Sequence, residues 1–276
     1  MVICWHLADF DGAEIVVLSE LLYPYDNGNL DRIINEGDKN KGTDVHSLNA
    51  KAMGVVRDDG KSVFFGKLYG SSSTLTGYTI LGDNPYTNYT KAEFTKTKTK
   101  LERRIITLPN DSTLYYPIKK DQLVVFSDKL VIQAIFGAHI QAKLTENTIG
   151  LKDLERDLKK QYKQSESITT IGGRTIHVNS PHKMLNYSCQ GANAEAIKYY
   201  LIEINKKFKL HGLTSGIHYV QEACIYDEVD MIVRNDKVAI VKTILTEAYT
   251  TISRQLGMRC TFTGEVLVSS SWAGAH

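Results

Sequence analysis

Apolar residues open the chain in a nearly unbroken run, VICWHLA at 2–8, which predicts a buried strand ending at Asp9. Asp11-Gly12 breaks it, and AEIVVLSELL is apolar enough for a helix packed on that strand. YPYDNGN reads as a turn cluster, and a polar, glycine-containing segment spans 36–44. Helical patterning then runs from Val45 through Tyr69, although Gly60 inside it costs roughly 1 kcal/mol against Ala. Residues 83–140 differ in texture. TKAEFTKTKTKLERR is basic, and LPNDSTLYYPIKKDQLVVFSDKLVIQAIFG carries β-branched and aromatic runs that predict short strands and hairpins. Helical periodicity returns in NTIGLKDLERDLKKQYKQ, Gly172-Gly173 turns the chain into a strand at TIHV, and 183–208 reads as a long amphipathic helix. Two strand-like runs in GIHYVQEACIYDEVDMIV are joined at Tyr226-Asp227-Glu228; a helix over 236–257 and a strand at CTFTGEVLV close the pattern.

Within RDDGKSVFFGKLYG, Arg57, Lys61, Phe65 and Tyr69 recur every four residues and so share one helix face. Two cations followed by two flat rings suit a polyphosphate followed by a sugar and base. Asp9 ends one apolar strand, and Asp227-Glu228 sit at the turn of another. If the strands are neighbours, these carboxylates converge, and oxygen ligands at that density suit Mg²⁺. Each feature alone has a plain alternative. A strand-end Asp is usually a turn former, an Arg-x3-Lys pair a solvated face, and a Phe/Tyr pair at i, i+4 core. The case rests on their occurring together and in this order.

Composition narrows the partners. The 276 residues are 42% hydrophobic and 23% charged, with formal net charge +2, so nucleic-acid contact needs a local patch. Cys4, Cys189, Cys224 and Cys260 form no C-x-x-C, which disfavours a zinc site or disulfide framework. No apolar run approaches a membrane span, and MVICWHLADFD meets Asp9 too early for a signal peptide. A cytoplasmic protein is expected, in the host cytoplasm if phage-encoded.

In order, these segments resemble family A DNA polymerases, the group of bacterial DNA polymerase I and short-tailed phage replicases. ADFDGAE resembles the family's motif A, RDDGKSVFFGKLYG its motif B (R-x3-K-x3-[FY]-G-x2-Y-G), and IYDEVDM its motif C. TDVHSLNAKAMG resembles the lead-in to motif B, GGRTIHVNSPHKMLNYSCQGANAEAI the palm segment before motif C, and SSSWAGAH the family's tail. The match covers the chain except roughly 83–140. The resemblance implies that Asp9 and Asp227 bind two Mg²⁺ ions with help from the Phe10 carbonyl, with Glu228 beside them near the primer end. It makes Glu14 a gate against a ribose 2′-hydroxyl. It puts His46, Arg57 and Lys61 on the triphosphate, with Lys61 donating a proton to pyrophosphate. Phe65 would stack near sugar and base, and Tyr69 and Gly70 would hold the templating position. Arg174, His182, Asn186 and Gln190 would touch primer–template DNA; the Ser-Pro-His context of His182 also fits a helix cap, and the resemblance favours the DNA contact.

Three departures accompany the resemblance. Tyr226 replaces the usual His of motif C. Residues 83–140 read as an insertion whose Lys91, Lys96, Lys98, Lys100, Arg103 and Arg104 either follow a template backbone or form a solvated face. The thumb and upstream palm segment that the resemblance implies ahead of motif A are expected to come from elsewhere. The expected fold is α+β, an antiparallel palm sheet backed by helices, with an inserted, mostly helical fingers subdomain. The expected division is palm at 1–25 and 173–276, fingers at 26–172. The expected function is template-directed DNA synthesis from dNTPs by a two-metal mechanism, as the C-terminal part of a split or truncated polymerase that needs an N-terminal fragment. The alternative is a catalytically silent nucleotide- or nucleic-acid-binding remnant.

Overall fold

The structure, a computed structural model, describes residues 3–102, 106–107, 113–114 and 128–275. The chain opens with β1 (Ile3–Phe10), α1 (Ala13–Asp26) and α2 (Asn29–Glu36). There follow α3 (Val45–Met53), α4 (Arg57–Leu68), α5 (Ser73–Leu81), α6 (Lys91–Glu102), the short pair β2 (Ile106–Thr107) and β3 (Thr113–Leu114), and α7 (Asp128–Asn147). The remainder is α8 (Leu151–Ser165), β4 (Ser167–Thr169), β5 (Thr175–His177), α9 (Met184–Leu210), β6 (Tyr219–Ile225), β7 (Glu228–Arg234), α10 (Val238–Gln255), β8 (Gly264–Ser269) and α11 (Trp272–Ala275). Two compact units form, one from 1–35 with 153–276, the other from 36–152.

The first unit is built on an antiparallel sheet of order β6-β7-β1-β8. Strand alternation sends Ala8 and Phe10 of β1, with Val229, Met231 and Val233 of β7, into the core. Helix α10 packs on that sheet and against α9, which packs on α1. The Phe10 ring meets Tyr200, Tyr249 and Phe262 edge-on at 5.3, 4.8 and 5.4 Å, an aromatic knot directly beneath the next residue toward the N-terminus, Asp9. This is the expected α+β arrangement of an antiparallel sheet backed by helices.

Specific bonds hold the segments next to the unit boundaries at 35/36 and 152/153. YPYD is not a turn but the last turn of α1, which stops where Asn27 adopts a left-handed conformation (φ 53°). The Asp26 carboxylate then accepts the backbone N–H groups of Gly28 and Leu30, each at 2.9 Å, and ties α2 to α1. Tyr25 donates to Asp157 Oδ2 at 3.0 Å and ties α8 to α1. Pro24 cannot donate to the Glu20 carbonyl four residues back. Arg259 Nη2 reaches that carbonyl at 3.4 Å, which lets the helix pass the proline.

Glu20 also holds the far end of the fold. Its side chain, 9% exposed, accepts the backbone N–H groups of Arg259 and Cys260 at 2.8 and 3.0 Å and the Arg259 guanidinium at 2.7 and 2.9 Å. Glu20→Ala strands two amides and a cation, so we expect a loss of about 3 kcal/mol and a thermal midpoint lowered by about 10 °C. A calorimetric scan showing less than about 2 °C would mean that this carboxylate is not a structural tie.

The second unit is helical. The expected single helix from Val45 to Tyr69 is two, because the chain turns at Gly54 in a left-handed conformation (φ 75°) and α4 doubles back on α3. That crossing explains Gly60: a Cβ there would lie 2.7 Å from the Ala50 Cβ, so the propensity cost secures a close approach. DKLVIQAIFG, expected as strand, begins α7, whose Val131, Ala134 and Ile135 pack with Leu101 of α6. These residues recur at helical spacing, and tertiary packing overrides their β-propensity. Of the expected hairpins in 83–140, only the β2–β3 pair lies among the described residues; the rest of LPNDSTLYYPIKKDQLVVF, with Arg103 and Arg104, lies outside them. Lys91, Lys96, Lys98 and Lys100 lie on α6, where Lys98 is 3.6 Å from Asp128.

Candidate active site

The sheet register brings the expected carboxylates together in the first unit. Asp9 pairs directly with Glu228 across β1 and β7, and Asp227 stands one residue earlier, in the turn. The turn is tighter than the sequence implied. Tyr226 takes the left-handed conformation (φ 57°) and is 91% exposed, and Glu228 already belongs to β7. On its other side Asp9 pairs with Glu265 of β8, so three acids occupy one row across three strands. The backbone beneath is fixed. Tyr249 donates its hydroxyl to the Asp9 carbonyl at 3.0 Å. Gly264 leaves room for this, since a Cβ there would fall 2.3 Å from that same carbonyl oxygen.

Crowding shows in the proton affinities. Partial burial, then the negative charges of Asp227 and Glu228, push the Asp9 carboxyl up to about 6. Asp227 is raised as well, by burial and by Glu14. Glu14 in turn is 3.4 Å from Gln190 Nε2 on α9. Asp9, Asp227, Glu228, Glu14 and Gln190 therefore occupy one neighbourhood. Among the described residues no group of three or more His, Cys, Asp or Glu side chains is placed to hold a metal ion.

The remaining expected DNA contacts lie on or before α9. Arg174 is exposed and 3.6 Å from Glu195, a buried acid that also accepts from Thr170 and from the Gly172 amide. His182 is exposed in a short 3-10 turn (Pro181–Lys183), where its Nδ1 is 2.8 Å from Ser180 Oγ. Its ring thus bonds a neighbouring side chain and caps no helix. Asn186 has a buried Oδ1 without a hydrogen-bond partner, and Asn193, seven residues on and on the same face, has another. Asn193 went unremarked in the sequence; its signal is the Asn186–Gln190–Asn193 spacing.

In the second unit α4 turns the expected face outward. Gly60, Val63, Phe64 and Leu68 are buried, while Lys61 and Tyr69 are exposed and Arg57 and Phe65 are half-buried. The Phe65 and Tyr69 rings stack at 6.2 Å. Gly70 follows in a left-handed conformation (φ 79°) that ends the helix. His46, from α3, is buried with its ring 5.6 Å from Phe65. Burial first, then the positive charges of Arg57 and Lys61, lower its proton affinity. Asp44 is the residue that sequence reasoning passed over. It accepts from Arg57 Nη2 at 2.6 Å and Nε at 3.3 Å. The pairing spans thirteen residues and has no local pattern to reveal it.

The first unit carries a row of acids on its antiparallel sheet, and the second carries a helix presenting Arg57, Lys61 and two rings. Comparison with known proteins makes this more specific. The chain is 24% identical to the DNA-directed DNA polymerase of Enterobacteria phage T3 over 272 residues, 97% of this chain and 33% of the relative. The same figures hold for the enzyme of Escherichia phage T7. Mitochondrial DNA polymerase gamma of Neurospora crassa is 33% identical over 98 residues, 34% of this chain and 7% of that protein. No family model matches. In fold, the chain is similar to the POL domain of Pol1 from M. smegmatis in complex with DNA primer-template and dNTP. The TM-score is 0.67 over 99% of this chain and 40% of that one, at 16% identity. The chain is homologous to the T3 and T7 DNA polymerases over nearly its whole length, and the resemblance to family A stands. It spans about a third of the length of those relatives. Among the described residues no helix is long and apolar enough to cross a membrane.

Proposed function

We propose that this chain carries the palm and fingers portion of a template-directed DNA polymerase, which joins a primer 3′-hydroxyl to the α-phosphate of a dNTP and releases pyrophosphate. The observation that carries this reading is the pairing of Asp9 with Glu228 beside Asp227, in a chain homologous to phage polymerases over 97% of its length. The donor set fits Mg²⁺. All donors are hard oxygens, Asp9 is destabilised by its acidic neighbours, and Mg²⁺ is usually held by one or two carboxylates plus substrate phosphates rather than by a closed cage. Asp9, Asp227 and the Phe10 carbonyl would hold two ions, which when bound supply charge neutralisation for in-line displacement.

The chain's own groups do the rest. Arg57, Lys61 and His46 would bind and orient the triphosphate, and Lys61 would protonate the departing pyrophosphate. Glu14 would crowd a ribose 2′-hydroxyl and so select dNTPs. Phe65 would pack on the sugar and base, with Tyr69 and Gly70 at the templating position. Arg174, His182, Asn186 and Gln190 would contact primer–template DNA, and the unmatched Asn186 Oδ1 supports a bound partner there.

Such activity also needs surfaces that grip the duplex. We take these to come from an N-terminal fragment with thumb and upstream palm. The exposed apolar face of α9 supports a docking partner: Ile202 and Leu210 border an open concavity of about 630 Å³. The alternative, a silent binding remnant, is disfavoured by the retained Asp9, Asp227, Arg57 and Lys61. Primer extension separates the readings. We expect negligible synthesis by the chain alone and restoration when a thumb-bearing N-terminal fragment is added. Processive synthesis by the chain alone would refute the need for a partner, and no synthesis with the fragment would favour the remnant.

A further inference from the structure

From the geometry around α3 and α4 we infer that Asp44 is a positioning residue for triphosphate binding, holding the Arg57 guanidinium by one edge so that its other edge is presented to phosphate. The inference rests on the nucleotide-binding reading of α4. A guanidinium has five N–H donors in a fixed plane. Asp44 occupies the Nε/Nη2 edge, at 3.3 and 2.6 Å, and among the described residues Nη1 is left with Asp58 at 3.9 Å, itself a fully solvated side chain.

The arrangement is braced from behind. Ser47 Oγ donates to Asp44 Oδ1, in the same α3 turn that carries His46. Asp44 stands immediately before α3 and Arg57 begins α4, two helices brought close at Gly60 and Ala50. Both partners are mostly covered, with side-chain exposures of 28% for Arg57 and 17% for Asp44. Opposed by burial, the hydrogen bonds from Arg57 and Ser47 still hold the Asp44 carboxyl down at about 2, so it stays ionised across any working pH.

Anchoring a long side chain before the ligand arrives reduces the ordering cost of binding. It also tempers the repulsion among Arg57, Lys61 and His46, which must otherwise be held together without an anion. A residue that merely occupied the phosphate site would do the opposite and compete with the ligand.

Titration of the full chain with Mg²⁺-dATP and with Mg²⁺-tripolyphosphate, followed by calorimetry, tests this. Asp44→Ala should raise both dissociation constants about tenfold, as expected for a charge-assisted bidentate hold lost from an arginine. Asp44→Asn, which keeps one acceptor, should recover part of the loss, and Ser47→Ala should weaken binding about threefold. These milder variants decide the matter if Asp44→Ala does not fold. Unchanged affinity with a lowered thermal midpoint would overturn the inference in favour of a structural role. Tighter binding would overturn it in favour of competition. Wild-type protein that bound tripolyphosphate no more weakly than dATP, with both constants still raised in Asp44→Ala, would uphold this role while contradicting the nucleotide reading. Binding of neither probe would overturn both.

Discussion

Asp9→Asn is expected to abolish nucleotide incorporation by the chain supplemented with a thumb-bearing N-terminal fragment, by at least about 1,000-fold, while making the metal-free chain more stable at neutral pH. The two effects share one cause. In the folded chain the Asp9 carboxyl is raised from 3.8 to about 6 by partial burial, Asp227 and Glu228. The folded state therefore binds a proton more tightly than the unfolded state between those values. Stability falls as pH rises from about 4 to about 6, and the whole penalty is in place above that. Because Asp9 keeps solvent access, screening reduces the penalty to about 1 kcal/mol, or roughly 2–4 °C in thermal midpoint. Asparagine removes the charge and with it the penalty. Mg²⁺ should stabilise the wild-type chain and do little for the variant. The same titration predicts that metal-dependent activity rises as pH increases through about 6, as Asp9 ionises. Equal stability of variant and wild type at pH 7.5 without metal, together with an equal response to Mg²⁺, would contradict this account of the acid row.

The second large effect is expected for Arg57→Ala. Loss of this guanidinium removes the proposed phosphate donor and leaves Asp44 mostly covered and without its counter-ion. We expect dNTP affinity to fall by about 100-fold, near 3 kcal/mol. A pH signature should accompany it. The folded-state carboxyl of Asp44 lies at about 2 against 3.8. Its pairing therefore contributes stability above about pH 4 that is lost as pH falls toward 2. In Arg57→Ala that acid-side slope should flatten. Arg57→Lys should restore charge without the two-point hold and recover only part of the affinity. Unaltered dNTP binding in Arg57→Ala would remove α4 from the site.

Much of this site was readable because its spacing is local. Arg57, Lys61, Phe65 and Tyr69 are one helix face whatever surrounds them, and α4 does turn them away from its packed side. Asp9 and Glu228 were readable because strand ends are marked by where apolar runs stop, and the β1–β7 register then paired them. Long-range partners were not readable. Asp44 meets Arg57 because the chain reverses at Gly54, and Glu265 meets Asp9 because β8 returns to the edge of the sheet. Elsewhere local rules misled. Pro24 and Tyr23-Tyr25 suggested a turn, but Arg259 satisfies the carbonyl that the proline strands. The β-branched start of α7 suggested a strand, but Val131 and Ile135 are one helical turn apart and pack with Leu101.

The proposed function assigns metal binding to Asp9 and triphosphate binding to Arg57. Calorimetric titration of Mg²⁺-dATP into wild type, Asp9→Asn and Arg57→Ala tests it most directly. The account predicts measurable binding by the wild type, weakened in each variant, with the loss in Asp9→Asn vanishing when Mg²⁺ is omitted. Wild-type affinity in both variants would contradict it.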